Sequence, residues 1–180
     1  MPAERIIQRL ALFSEVAHEV RLGRTAFMKL CFFLQESRNV PLGYQFSIYS
    51  YGPFDSDVLT DLSTAVQMNV LKSTPVYYPS GYGYEYSLGS DESVRTLATE
   101  FLQGHRESIR WATKNFGKKT AAELELLSTT LFVAKFNNPK DVAALVNQVQ
   151  LIKPHFSLDQ INHGFRELVG LNVLREAPVS

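Results

Sequence analysis

A chain of 180 residues fits one domain or two tightly joined small ones, and can bury roughly 70% of the surface its unfolded form exposes. Hydrophobic residues at 45% and aromatics at 12% suffice for a core, while eighteen basic side chains cancel eighteen acidic ones. That balance excludes a bulk attraction to nucleic acid or to an anionic membrane and leaves only a local patch to supply one.

The single cysteine, Cys31, permits no internal disulfide and no zinc site built on several thiolates. No stretch approaches the ~20 apolar residues that span a bilayer, and no signal-peptide layout opens the chain. The expectation is a cytoplasmic, soluble protein with no membrane partner.

The first segment, "AERIIQRLALFSEVAHEV", sets Ile6, Leu10, Phe13, Ala17 and Val20 on one helical face. This stripe reads as packing within the monomer, since a coiled coil needs three or four sustained heptads, and it leaves a homodimer seam open. Gly23 breaks the pattern. A second helix, "RTAFMKLCFFLQES", carries Phe27, Leu30, Cys31 and Leu34 as an inner stripe widened by Phe32 and Phe33, the centre of a core. Cys31 on that stripe reads as a small buried hydrophobe and not a nucleophile.

"NVPLGY" is loop chemistry. "YQFSIYSY" alternates as a short strand, with Tyr44, Phe46 and Ile48 on one face, and Gly52-Pro53 ends it. A helix from about Asp55 to Asn69 follows. "VLKSTPVYY", the turn "PSGYG" and "YEYSLGS" read as a β-hairpin whose Ser80, Gly81 and Gly83 allow the reversal. Helix, helix, strand, helix, hairpin is the order of a winged helix-turn-helix with an elaborated loop.

From Ser93 the chain reads as helical: near 93 to 115, near 120 to 136, and two helices with start signals at Pro139 and Ser157. The fold class is mainly α with a small β component: a winged-helix-like core with its N-terminal helix over 1–92, and a helical bundle over 93–180 packed on it. "MNVL" at 68–71 and "LNVL" at 171–174 each set an asparagine at a helix exit, where it tolerates the left-handed conformation.

No catalytic constellation emerges, so no enzyme, cofactor or metal is expected. The glycines of "GYGYEYSLG" lack dinucleotide-fold spacing, and "GKKT" has Ala112 where a phosphate loop needs its upstream glycine. His18, His105, His155 and His163 lack a zinc-hydrolase spacing.

Three features remain. Arg106, Arg110, Lys114 and Lys118 form a basic ridge beside Trp111, readable as a solvated helix face, a phosphate-contact stripe or a dock for an acidic protein. Tyr82, at the hairpin turn, is hard to bury and suits an interaction anchor. The stretch "YSYGPFDSDVLTDL" joins Tyr51, Gly52, Pro53 and Phe54, a contact loop or a rigid turn packed on the core, to a helix start with Asp55, Asp57 and Asp61. These carboxylates cap and solubilise a helix, and they oppose its use in a DNA groove. Asp57 joins the contact loop as a candidate partner-binding residue.

"FMKLCFFLQ", "FSIYSYGPF", "DSDVLTDL" and the ending "NVL" together resemble the YwgA-like family and, more distantly, the Panacea domain of SocA-like antitoxins, over about residues 24 to 90. "KPHFSLDQI" extends the likeness toward the C-terminus. The resemblance implies a compact bacterial or phage-associated regulator and, among the Panacea relatives, an antitoxin that neutralises a toxin protein. Phe54 after Tyr-Gly-Pro and the fuller hairpin depart from that pattern. The function expected is thus non-enzymatic regulation through a protein partner, a toxin or defence component, with a nucleic-acid-binding regulator as the alternative.

Overall fold

The computed structural model describes residues 2–79 and 81–176, so Ser80 of the expected turn lies outside the described residues. Of the described residues 62% are helical and 14% lie in a small antiparallel sheet component, so the fold is mainly α. It divides into two compact units: one made of the chain up to Phe46 together with Asp55–Lys119, the other of Ser47–Phe54 together with the chain from Thr120 onward. The division therefore falls at Thr120 instead of residue 92, and the short segment 47–54 belongs with the C-terminal helices.

In the first unit, α1 (Pro2–Glu19) is followed by a two-residue strand, β1 (Leu22–Gly23), where the sequence suggests only a break. Helix α2 (Arg24–Arg38) buries every residue from Phe27 to Leu34: the expected apolar stripe and, with it, Met28 and the charged Lys29. After the pair β2 (Ser47–Tyr49) and β3 (Gly52–Phe54) come α3 (Ser56–Gln67) and the hairpin β4 (Leu71–Tyr78) and β5 (Gly81–Leu88). β1 pairs with β5, giving an antiparallel sheet in the order β1-β5-β4. Pro75 lies on the edge strand β4, where a residue without an N–H is tolerated.

The expected helix over 93–115 is two: α4 (Ser93–Leu97) and α5 (Thr99–Phe116). They part at Ala98 (φ −111°, ψ 29°), where the Thr99 hydroxyl donates to the Thr96 carbonyl at 2.8 Å and competes with the regular ladder. Helix α5 packs on α1 and α2, and the Phe33 and Phe116 rings stack at 4.0 Å, which is why 93–119 joins the first unit. Burying a side chain such as Phe33 contributes about 1.5–3 kcal/mol.

The second unit holds the β2–β3 pair with α6 (Ala121–Phe136), α7 (Val142–Ile152) and α8 (Leu158–Gly170). Its core is Val133, Leu145, Val146, Val149, Phe156, Ile161 and Phe165. Capping boxes open α6 (Thr120 with Glu123) and α8 (Ser157 with Gln160). α7 starts later than Pro139 suggests, because Asp141 accepts from the Ala144 N–H at 2.7 Å and fixes the cap there. Among the described residues no helix is long and apolar enough to cross a membrane.

Candidate functional site

The expected single strand ending at Gly52-Pro53 is instead a hairpin of its own, with Ser47 opposite Phe54, Ile48 opposite Pro53 and Tyr49 opposite Gly52. Gly52 has φ +89°, and a Cβ there would stand 2.9 Å from the Thr129 Oγ1 and 3.2 Å from the Ser128 Oγ of α6. Only glycine fits both the conformation and the space. Gly52 and Pro53 are buried, so they support the loop and do not present it to a partner. Tyr51 and Tyr49 are exposed, and half-buried Phe54 packs against the Tyr49 ring at 5.5 Å.

A buried lysine holds this turn. Lys153, only 3% exposed, donates from Nζ to the carbonyl oxygens of Tyr49 (3.2 Å) and Ser50. Nζ also lies 2.8 Å from Oε1 of buried Glu125, and the His155 Nε2, on a largely exposed ring, is 3.5 Å from the same oxygen. The sequence shows Lys153 only as part of "KPHF". A lysine before a proline carries no signal of burial, and its partner lies far away on α6.

At the start of α3 the carboxylates separate. Asp55 is the cap: it accepts from the Asp57 N–H at 2.9 Å and from the Gln45 N–H at 2.5 Å. Asp57 is exposed in the first turn, next to the positive end of the helix. Asp61 departs from the expectation of a solvated helix face. It is buried, receives hydrogen bonds from the Arg9 Nη1 (3.1 Å) and the Tyr44 hydroxyl (2.8 Å), and shares Arg9 with the Leu42 carbonyl (2.8 Å). The Arg9 guanidinium also covers the Tyr44 ring at 3.9 Å. Burial raises the Asp61 carboxyl above its ordinary value against the lowering by Tyr44 and Arg9. Burial likewise pushes the Cys31 thiol up, as expected of an inert core cysteine.

On the β4–β5 hairpin, Tyr82, Tyr84 and Tyr86 alternate along β5 with exposures of 67%, 37% and 6%. The face is buried at its base and open at its tip. Tyr77, 85% exposed, stands opposite Tyr82 with ring centroids 6.5 Å apart. The sequence points to Tyr82 but not to Tyr77, whose exposure follows from the cross-strand register.

The ridge Arg106, Arg110, Lys114 and Lys118 is exposed throughout, with Lys118 just past the end of α5. Arg110 lies 3.7 Å from Glu19. Trp111 is half-buried under the Arg38 guanidinium at 3.9 Å and against Phe116. Asp57 and Tyr82 belong to the first unit, and Tyr51 to Phe54 to the second. Among the described residues no group of three or more His, Cys, Asp or Glu is arranged to hold a metal ion.

No protein-family model matches this chain, and no curated protein matches it.

Proposed function

We propose that the protein is a non-enzymatic regulatory module that acts by binding another protein through the tyrosines at the tip of the β4–β5 hairpin. The observation that carries this reading is the pair Tyr77 and Tyr82, side by side and open to solvent. Large, stiff aromatic side chains give much contact area for little loss of freedom, which suits an anchor. Zero net charge favours a protein over a polyanion.

A winged-helix-like core is supported by the order helix, strand, helix, helix, hairpin in the first unit and by the sheet order β1-β5-β4. The likeness to YwgA-like and Panacea sequences makes a toxin or phage-defence component the favoured partner in a bacterial cytoplasm. In the second unit Tyr51, with Tyr49 and Phe54, is a further aromatic surface. The exposed Asp57 at the start of α3 argues against docking that helix in DNA.

The test is affinity purification from the native cell, with protein and nucleic acid both analysed. A stable protein partner that is lost on joint Tyr77→Ala and Tyr82→Ala substitution is the expected result; a partner that survives both changes overturns the site. The exposed ridge Arg106, Arg110, Lys114 and Lys118 favours one second reading, a nucleic-acid-binding regulator. It requires binding that weakens steeply with salt and loses about one unit of salt slope per phosphate-contacting cation removed.

A further inference from the structure

We infer that the tyrosine face of the β4–β5 hairpin takes an extended, proline-rich segment that carries a carboxylate, with the carboxylate held by Arg24. This rests on the proposed protein-binding role of the same hairpin and names the chemistry of the segment it binds.

The register sets Tyr77 opposite Tyr82, Pro75 opposite Tyr84 and Ser73 opposite Tyr86. Directly opposed residues share a face, as do alternate residues of one strand, so these six lie on one side of the hairpin. The rings form a continuous patch: Tyr77 to Tyr82 at 6.5 Å, Tyr82 to Tyr84 at 5.9 Å. Toward the base this patch runs into a cavity of about 270 Å³, lined in part by Tyr84, Tyr86, Ser73, Gln67 and Arg24. Arg24 is the one charged residue of that lining. It is exposed, lies 6.0 Å over the Tyr84 ring, and has no carboxylate partner among the described residues.

At the tip Tyr77 and Tyr82 offer ring faces open to solvent. Compact proline rings, held rigid by their fixed φ, can lie on such faces. A polyproline II segment has no internal hydrogen bonds, so its carbonyls stay free to accept from tyrosine hydroxyls, and it loses little freedom on docking. An unpaired guanidinium at one end of an apolar strip calls for an anion there, and a carboxylate matches its fork. A single-stranded nucleic acid would also stack on tyrosines, but it needs a track of cations along its backbone. Lys72, next to Ser73 in β4, points to the opposite face, and Arg24 is the one cation that lines the cavity at the base of this one.

The probe is a fluorescein-labelled oligoproline ending in Glu–Glu, with a matched Gln–Gln peptide and an oligothymidylate, titrated by anisotropy against the intact protein. Saturable binding of the acidic peptide is expected, with the Gln–Gln peptide about tenfold weaker. Arg24→Gln should bind both peptides alike at the weaker level, and Tyr82→Ala should lose both. No saturable binding, an Arg24→Gln variant that keeps the preference for Glu–Glu, or an oligothymidylate that binds more tightly and displaces the peptide overturns the inference. If the peptide fails while the cellular partner still depends on Tyr77 and Tyr82, the inference alone falls; if that dependence is absent too, the proposed role of the hairpin falls with it.

Discussion

The ammonium of Lys153 and the carboxylate of Glu125 meet at 2.8 Å with both side chains buried, and the same ammonium is bonded to the turn between β2 and β3 through the Tyr49 and Ser50 carbonyls. Burying two charges costs several kcal/mol for each ion, so the pair is weak evidence of stability in itself. Its structural consequence is geometric. One end of the ammonium is fixed by α6 and the other fixes the turn that exposes Tyr49 and Tyr51. His155, 3.5 Å from the same Glu125 oxygen and largely exposed, adds little.

Lys153→Met leaves Glu125 as an uncompensated buried charge and is expected to cost about 3–5 kcal/mol in urea unfolding. The double variant Lys153→Met, Glu125→Leu should recover most of that loss, since the orphaned charge is gone and the exposed turn can turn its carbonyls to water. If the double variant is no more stable than the single one, the ion pair is not what holds this part of the second unit.

Gly52 and Gly81 both have positive φ, at +89° and +133°, but only Gly52 is crowded. Gly52→Ala adds a methyl 2.9 Å from the Thr129 Oγ1 to an unfavourable backbone conformation, for an expected loss of about 2–4 kcal/mol. At Gly81 no atom lies within 4 Å of the added carbon, so Gly81→Ala should cost about 1–2 kcal/mol from the backbone alone. Thermal denaturation of the two variants side by side checks the ranking, and equal losses would show that the contact with α6 is not tight.

Local chemistry was legible in the sequence where it is carried by neighbours. Asn69 (φ +57°) and Asn172 (φ +56°) both end their helices in the left-handed conformation. At each, the following residue bonds back five positions, Val70 to Ala65 and Val173 to Leu168. The apolar run of α2 and the cap at Ser157 follow the same logic. What resisted reading depends on distant partners. Asp61 lies in an acidic stretch that looks solvated until Arg9 and Tyr44 converge on it. Lys153 is a lysine in a loop until Glu125, on α6, reaches it. Of Tyr51, Gly52, Pro53 and Phe54, only Tyr51 is exposed, because a second strand, and not a simple stop, begins at Gly52. Composition and spacing do not encode which side of such a turn faces the core.

The raised Asp61 carboxyl makes a signed prediction about pH. A group that binds its proton more tightly when folded contributes stability below its unfolded value, near 3.8, and loses it as pH rises through the higher folded value. Other carboxylates that are stabilised by folding act in the opposite sense. The stability of the natural protein minus that of Asp61→Asn should therefore fall as pH is raised from about 3.8 through the folded value of this one group. Urea unfolding of both proteins across that range measures the difference. A difference that rises with pH would mean that Arg9 and Tyr44 outweigh desolvation at this site.

The tyrosines of β5 share one strand and one face yet should respond oppositely to truncation. Tyr86 is buried at the base of the hairpin, with its ring 5.8 Å from that of Phe27 in an edge-on arrangement. Tyr86→Ala removes a packed aromatic from the core of the first unit and is expected to cost about 3–5 kcal/mol. Tyr82→Ala, at the tip, removes no buried contact and should stay within about 0.5 kcal/mol of the natural protein. Partner capture should show the reverse order once folding is accounted for, with Tyr82→Ala folded but weak in binding. A Tyr82→Ala variant as unstable as Tyr86→Ala would make the tip a structural element and remove the reason for treating its exposed rings as an anchor.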